Sequence, residues 1–427
     1  MITAKAFAGK HYAVYGLARS GIATVEALLA SGAKVTAWDA KEEARAEAPA
    51  GAEIANLDEA DLSPFDSLVV TPGLPLNRHP IAQRARDAGV EIIGDIELFA
   101  RARPELPPHK VVGITGTNGK STTTALVHHI LEVAGVPTTM GGNIGLPILA
   151  QDPLPEGGVY VLELSSYQID LTRSLDCDVA VLLNITPDHL DRYESFEAYR
   201  QSKLRLFQMQ SNAHAAVFDF DGSEADEIVA IRGGDRGDFW FTDENIDFVT
   251  SWAGLDNLAG PHNRQNASAA IMVCSALRIP VTEAALSSYP GLPHRMERVR
   301  EKDGVLFVND SKATNPTATA PALAAFDSIR WILGGQAKTD NLDECAPHFG
   351  HVRTAYTIGE AAELFERLLA PHMPVKNCGK LDEAVRQAAQ DAEAGDTVLL
   401  SPACASFDQF RDFEDRGEQF KALVGAL

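Results

Sequence analysis

Cysteine is scarce in this chain: Cys177, Cys274, Cys345, Cys378 and Cys404 make an odd set of five with no CxxC pair. That argues against a disulfide framework or a zinc knuckle, and a reducing cytoplasm is the expected compartment. Long apolar runs are missing as well. No stretch reaches the ~18 apolar residues that a membrane-spanning helix needs, and no charged segment followed by an apolar one opens the chain as a secretory leader would. Basic residues are few, 37 Lys plus Arg against 59 Asp plus Glu, for a net charge of -22. Binding a nucleic-acid backbone requires a basic face, so this balance argues against a nucleic-acid partner; small anionic ligands need only a few local cations. Aromatic residues make up 7% of the 427, yet hydrophobic residues reach 45%. This is an ordinary globular composition, long enough for roughly two to four domains.

What is present is a phosphate cradle. Residues 111–122, VVGITGTNGKST, read as a buried strand, a glycine-rich turn, and a lysine and hydroxyls opening a helix. Consecutive backbone N–H groups at a helix N-terminus attract phosphate oxygens, Lys120 adds a point charge, and the Ser121 hydroxyl suits a magnesium ion. A strict GxxxxGK[ST] pattern places its first glycine at position 114, where this chain has Ile114. Apolar residues at Ala125, Leu126, Ile130, Leu131 and Ala134, closed by Gly135 and Pro137, predict a helix over 121–134.

Upstream, a strand at His11–Tyr15, the turn GLARSG at 16–21, a helix to Ser31 and a strand at Lys34–Trp38 ending at Asp39 predict the opening βαβ of a Rossmann-like unit. Ala18 replaces the middle glycine of the dinucleotide fingerprint. Only about ninety residues precede the Pro-rich linker at 103–108, a half unit suited to one nucleotide. Downstream of the cradle, Glu163 ends the strand that precedes LSSYQ, where a carboxylate can hold magnesium or cap Ser165 or Ser166. His189 follows the next strand, flanked by Asp188 and Asp191, either as a metal ligand or simply hydrogen-bonded. His128 and His129 read as packing or surface residues of the helix after the cradle. Lys203 lies on a helix over 195–207 and reads as a snorkelling lysine. Asn263 and Asn266, spaced i, i+3, can meet an adenine edge or cap a helix. In the last third, strands end at Asp310-Ser-Lys312, at Gly334-Gly335 ahead of Lys338, and at 401–406, SPACAS. Arg295, Lys312 and Lys338 thus gather cations at strand ends of an acidic protein, a site for anionic groups.

Taken in order, TGTNGKST, GGNIG, LELSSYQ, NITPDHLDRY, the Lys203 helix, GPHNRQNA, PHRME and NDSKATNP resemble the Mur ligase family across nearly the whole chain. Ile114 fits that family's variant phosphate loop. The C-terminal SPACASFDQF and RDFEDRGEQF are similar to the D-glutamate-adding branch. The resemblance implies an α/β protein of three domains: a Rossmann-like UDP-substrate half unit over 1–105, a central P-loop ATPase-type parallel sheet over 106–290, and a Rossmann-like α/β amino-acid domain over 291–427. It implies an ATP-dependent amide ligase of peptidoglycan precursor synthesis, a monomer with no nucleic-acid or membrane partner, whose small-molecule partners are UDP-N-acetylmuramoyl-L-alanine and D-glutamate.

The resemblance also implies roles. ATP would be held by Gly116, Thr117, Asn118, Gly119, Lys120, Ser121 and Thr122, with Asn263, Asn266, Arg295 and Asp310 at its adenine, phosphate and ribose. One magnesium (or manganese) would sit on Ser121 and Glu163. A second would sit on His189 and on Lys203 as its CO2-derived carbamate. Lys120, Asn143, His189 and Lys203 form the implied catalytic set, with Asn143 and His189 touching the acyl substrate. Leu17, Ala18, Asp39, Thr71 and Gly73 would receive the uridine diphosphate; Lys312, Thr314, Lys338, Ser406 and Phe413 would form the D-glutamate pocket. Phe407 stands where a smaller aliphatic residue is expected. Four other readings remain open from the residues: a sister ligase for L-alanine or a diamino acid, a folylpolyglutamate synthase, an NAD-dependent oxidoreductase, and a non-catalytic P-loop module.

Overall fold

Three sheets follow one another along the chain in a computed structural model that describes residues 1–188, 192–219, 224–233, 239–241, 258 and 261–427. The first is built from β1 (His11–Tyr15), β2 (Lys34–Trp38), β3 (Glu53–Ile54), β4 (Ser67–Val70) and β5 (Glu91–Ile93), all parallel in the order β3-β2-β1-β4-β5. The second contains β6 (His109–Thr115), β7 (Thr138–Gly142), β8 (Gly158–Glu163), β9 (Val179–Leu182), β10 (Ala215–Asp219) and β11 (Phe239–Phe241), parallel in the order β11-β10-β9-β6-β8-β7. The third contains β12 (Glu297–Lys302), β13 (Val305–Asn309), β14 (Ile329–Gly334), β15 (Val352–Ile358), β16 (Val375–Gly379) and β17 (Thr397–Leu400) in the order β12-β13-β17-β14-β15-β16. Only β12 runs antiparallel to its neighbour among these pairs. It turns into β13 through Asp303 and Gly304, both at positive φ, the two-residue hairpin signal of an Asp-Gly pair.

The chain reverses its winding about β1 in the first sheet and about β6 in the second, and the loops leaving those strands open at the carboxyl edge where α/β proteins bind ligands. β6 is buried from Val111 to Thr115 and β8 throughout, as expected of strands covered on both faces by helices. In the first sheet, a Cβ on Gly21 would lie 1.9 Å from the Gly16 carbonyl oxygen, so only glycine lets the helix Arg19–Ala30 pack this closely on the β1 turn.

The first two sheets belong to one compact unit, Met1–Gly254 with Pro261–Ser288, and the third sheet belongs to another, Tyr289–Leu427 with Leu255–Gly260. Within the first unit, the buried Glu97 of helix Asp95–Ala102 accepts from the Arg173 and Ser174 amides at 2.7 and 2.9 Å, and the Gly94 amide donates to the Leu171 carbonyl at 3.0 Å. These bonds join the first sheet's last helix to the second sheet's layer. The second unit packs Trp331, Phe365 and Leu399 on one face of its sheet and Tyr356, Val398 and Phe420 on the other. All five cysteines are free. Among the described residues no helix is long and apolar enough to cross a membrane.

Candidate active site

The cradle is a strand-to-helix turn held open from behind. β6 delivers Gly116, and the helix Lys120–Val133 starts with Gly119 in the left-handed region at φ 84°. A Cβ on Gly119 would meet the Asn266 amide oxygen at 2.2 Å, so the loop needs glycine both for its backbone and for its neighbour. The segment after β9 fastens the loop: the Thr117 amide donates to the Asn184 carbonyl at 2.8 Å, and the Asn118 amide to the Asn184 side-chain oxygen at 2.9 Å. Thr117 Oγ1 accepts from the Thr186 amide at 3.0 Å and lies 3.1 Å from the Tyr199 hydroxyl. Lys120 Nζ donates to the carbonyls of Gly116 and Thr117 at 2.9 and 2.8 Å. Ser121 and Thr122 sit half-buried on the first helical turn.

Glu163 ends β8 next to this loop and is 2% exposed. Its Oε1 accepts from Asn143 Nδ2 at 2.9 Å, while Oε2 is buried with no hydrogen-bond partner among the described residues. The carboxylate caps neither Ser165 nor Ser166: Ser165 is itself the N-cap of the short helix Ser166–Asp170, in a reciprocal capping box with Gln168. An orphaned buried carboxylate oxygen at a strand end is an unsatisfied acceptor that a divalent cation would satisfy.

Lys203 is not the snorkelling lysine its helical pattern suggests. The helix Phe196–Gln208 turns it inward until it is 1% exposed, and its Nζ donates to the Gly116 carbonyl at 2.8 Å. The ring of Tyr199 lies 4.7 Å from the same nitrogen. Burial, helped by the nearby Lys120 cation, pushes its pKa down to about 7. Snorkelling needs an exit to water, and here the phosphate loop closes over that exit.

Asn266, on the helix Pro261–Ala276, is buried against Gly119, and its Nδ2 donates to the Asn263 side chain at 3.3 Å. His189 lies outside the described residues, as do Leu190 and Asp191. Among the described residues no group of three His, Cys, Asp or Glu side chains is placed to hold a metal.

At the carboxyl edge of the first sheet, Leu17 and Ala18 follow β1, Asp39 follows β2, and Thr71 and Gly73 follow β4. Thr71 packs against Gly16, and its amide donates to the Tyr15 carbonyl at 3.1 Å. The Asp39 carboxylate accepts from the amides of Leu17 at 2.8 Å and Lys41 at 2.9 Å, bracing two loops. Sequence reasoning missed two arginines that tie this edge to the second sheet's loops. Arg19 donates to the Gly145 carbonyl at 3.3 Å, and Arg192 reaches the carbonyls of Pro72, Gly73 and Leu74. Nothing in local periodicity marks either of them.

The second unit gathers its own set. Asp310 follows β13; its Oδ2 accepts from Ser401 Oγ at 2.7 Å, its Oδ1 accepts from the Met296 amide at 3.2 Å, and burial pushes its pKa up to about 7. Arg295 stands near enough to oppose that rise. Lys312 Nζ lies 3.7 Å above the Phe413 ring, and exposed Lys338 donates to Thr314 Oγ1 at 3.3 Å. Ser406 is buried while Phe407, its neighbour, is 69% exposed. Arg416, which motif reading left without a role, is fully buried beneath these loops. It donates to Ser311 Oγ and to the carbonyls of Ser311 and Cys404 at 2.9, 2.8 and 3.1 Å.

A glycine-rich loop after the central strand, a lone strand-end carboxylate and an inward lysine on the loop's own carbonyl define a nucleotide-dependent enzyme of a particular kind: the chain belongs to the Mur ligase family. Its residues 10–94, 114–274 and 294–404 match the sequence models of the MurD-like N-terminal domain, the Mur ligase middle domain and the Mur ligase glutamate ligase domain. It is 59% identical over 429 residues to the UDP-N-acetylmuramoylalanine–D-glutamate ligase of Novosphingobium aromaticivorans, covering 100% of this chain and 97% of that protein. The ligase of the same name from Sphingopyxis alaskensis is 58% identical over 435 residues, with 100% of both chains covered. Among solved structures, the MurF ligase of Thermotoga maritima in complex with ADP superposes with a TM-score of 0.60 at 17% identity, covering 99% of this chain and 97% of that one. The UDP-N-acetylmuramate–alanine ligase MurC of the same organism gives 0.59 at 17% identity, covering 98% and 99%. At such identities these structures speak for the shared three-domain α/β fold alone.

Proposed function

We infer that this chain uses ATP to join D-glutamate to UDP-N-acetylmuramoyl-L-alanine, in the cytoplasmic assembly of peptidoglycan precursors. The observation that carries the chemistry is the buried Lys203 amine, 2.8 Å from the carbonyl of the same loop that presents Lys120. The choice of substrates rests on the names of the full-length relatives. In this reading the UDP moiety falls to the domain over 1–105, ATP to the domain over 106–290 and the amino acid to the domain over 291–427.

A carboxylate is a poor electrophile toward an amine, so ATP must activate it, and a weak nucleophile toward a polyanion, so the charge of the triphosphate must be neutralised. The backbone amides of residues 116–121 and Lys120 hold the phosphates, neutralising charge and fixing the γ-phosphorus for in-line attack. The carboxylate oxygen of the alanyl group bonds to that phosphorus while the bond to the ADP oxygen breaks, giving an acyl phosphate. The amine of D-glutamate, deprotonated, adds to the acyl carbon. The tetrahedral intermediate collapses to the amide with loss of phosphate.

Asn143 orients Glu163 and faces solvent at the loop where the acyl group would arrive. Magnesium or manganese on Ser121 and Glu163, with a second ion on His189 and a carbamate formed on Lys203, would supply positive charge against the triphosphate. Carbamate formation requires a neutral amine, and a lysine whose pKa is near 7 provides one at ordinary pH. Lys312 and Lys338 give the amino acid's carboxylates cations, Thr314 and Ser406 give them hydroxyls, and Phe413 supports Lys312 with its ring, while Asn263, Asn266, Arg295 and Asp310 serve the adenine, phosphate and ribose of ATP. A product assay with ATP, the UDP substrate and each amino acid in turn tests the reading. Ligation with D-glutamate is expected; turnover with L-alanine or a diamino acid and none with D-glutamate would overturn it.

A further inference from the structure

The two arginines that bridge the first and second sheets differ in how firmly they are held. Arg19 is exposed and makes one 3.3 Å bond to a carbonyl. Arg192 is gripped on several sides. Its Nη1 donates to the Gly73 carbonyl at 3.3 Å and its Nη2 to those of Pro72 and Leu74 at 3.4 and 2.9 Å, three successive carbonyls of one turn. Its guanidinium carbon lies 4.3 Å from the centre of the Tyr167 ring, and that ring stacks on Tyr193 with 5.9 Å between centroids and 12° between planes. A planar guanidinium with five donors can span three carbonyls while lying flat on an aromatic face; a lysine cannot do both.

The contacts continue inward. Tyr193 Oη donates to Asp170 Oδ2 at 2.8 Å and lies 3.2 Å from Ser202 Oγ, which in turn donates to the Ser166 carbonyl at 3.0 Å. Ser202 immediately precedes Lys203, whose amine rests on the phosphate loop. An unbroken chain of contacts thus runs from the 71–74 turn through Arg192, the Tyr167–Tyr193 stack and Ser202 to the helix that carries Lys203. Beside it lies a cavity of about 160 Å³, bordered by Leu74, Leu76, Asn77, Tyr167, Asp170 and Arg192 among others. That space gives the turn and the stack room to shift relative to each other.

We propose that Arg192 is a positioning residue that couples occupancy of the 71–74 turn by the UDP substrate to the placement of the Lys203 helix against the phosphate loop. It touches no reacting atom. It acts through the turn on one side and through the tyrosine stack on the other, and it rests on the assignment of that turn to the UDP substrate made above. The coupling is an equilibrium property, so it requires that substrate binding at one end be felt at the other and be lost when the link is cut.

The test uses the full chain in four forms: wild type, Arg192→Met, Arg192→Lys and Tyr193→Phe. Segment-resolved hydrogen exchange with and without UDP-N-acetylmuramoyl-L-alanine is read over residues 70–80 and 193–204. In the wild type both segments gain protection. In Arg192→Met only 70–80 does so, and Arg192→Lys behaves like Met. Tyr193→Phe, which keeps the stack and removes the hydroxyl, shows a partial loss over 193–204. In steady-state kinetics, Arg192→Met raises KM for the UDP substrate by about tenfold and leaves KM for ATP within about threefold, a split that loss of folding would not produce. Wild-type transmission of protection in Arg192→Met, or an equal rise in every KM, overturns the proposal. If the UDP ligand protects neither segment of the wild type, the substrate assignment has failed instead. The clamp is then judged without ligand: exchange over 70–80 must rise in Arg192→Met, and an unchanged rate there overturns it too.

Discussion

Lys203 stands out at the scale of single residues because folding works against its charge. Its folded pKa near 7 lies below the ordinary 10.5, so between those values the unfolded chain binds more protons at this position than the folded one does. Stability of the unmodified protein therefore rises with pH across that window, and below pH 7 the full cost of the buried ammonium is present. Lys203→Met removes the cost, and the Gly116 carbonyl keeps a donor in Lys120. In CO2-free buffer at pH 6.5 the variant is expected to be more stable by roughly 2–4 kcal/mol in urea unfolding, with the gap shrinking toward pH 10. A gap that widens with pH would contradict the burial argument. The same position is expected to be indispensable for function. Lys203→Ala should lose ligation, with partial rescue by bicarbonate plus a short carboxylic acid; wild-type-like turnover in the variant would exclude a carbamate role. A residue kept at the expense of stability is the mark of a functional site.

Among elements, the phosphate loop depends on the helix Pro261–Ala276, which follows it by some 140 positions in the chain but presses Asn266 onto Gly119. Gly119→Ala places a methyl group in the left-handed region and against that amide at once, a strain of ~1–3 kcal/mol. ATP affinity, read by calorimetric titration, is expected to fall by up to about 5- to 140-fold, since each 1.4 kcal/mol is a factor of ten. Because the two sites touch, the cost should not add to that of Asn266→Ala: the double variant should bind better than the sum of the single losses predicts. Simple additivity would show that the contact carries no energy. β12 and β13 illustrate the opposite case, an element held by local chemistry: Asp303 and Gly304 adopt the positive φ angles that their hairpin requires.

On the scale of the molecule, the two compact units have separate cores and separate weak points. In the second, Arg416 lies beneath the loops after β13, β14 and β17 with backbone carbonyls and a serine hydroxyl as its partners. Desolvation pushes its pKa down to about 10. Arg416→Met would strip those acceptors of their donor, and unsatisfied buried acceptors cost ~1–3 kcal/mol each. Hydrogen exchange should therefore show a loss of about 3–5 kcal/mol confined to residues 297–427, the first unit keeping its protection. Because the units are distinct, a single two-state transition is not assumed for the whole chain. Equal loss of protection in both units would show that they unfold as one.

How much of this was legible beforehand depended on distance along the chain. The strands His11–Tyr15, Lys34–Trp38 and Val305–Asn309 carry dense apolar or β-branched runs bounded by turn residues, and they occupy the positions that those runs predict. β7, TTMGG, carries little strand signal of its own because two of its five residues are glycine, and its pairing with β8 holds it extended. The glycine loop, the strand-end carboxylate Glu163 and the family's ordered motifs were readable because each is set by backbone rules or residue chemistry within about ten positions. The inward turn of Lys203 was not, since its partner Gly116 lies 87 residues away and helical periodicity specifies a face without naming what covers it. Nor were the partners of Arg192 and Arg416, whose acceptors are mostly backbone carbonyls that any residue would supply. By itself the sequence determined most of the elements, the glycine-rich turn between strand and helix, and the family. The tertiary structure decided which side chains meet there, because long-range contacts depend on strand order and packing, which local preference does not encode.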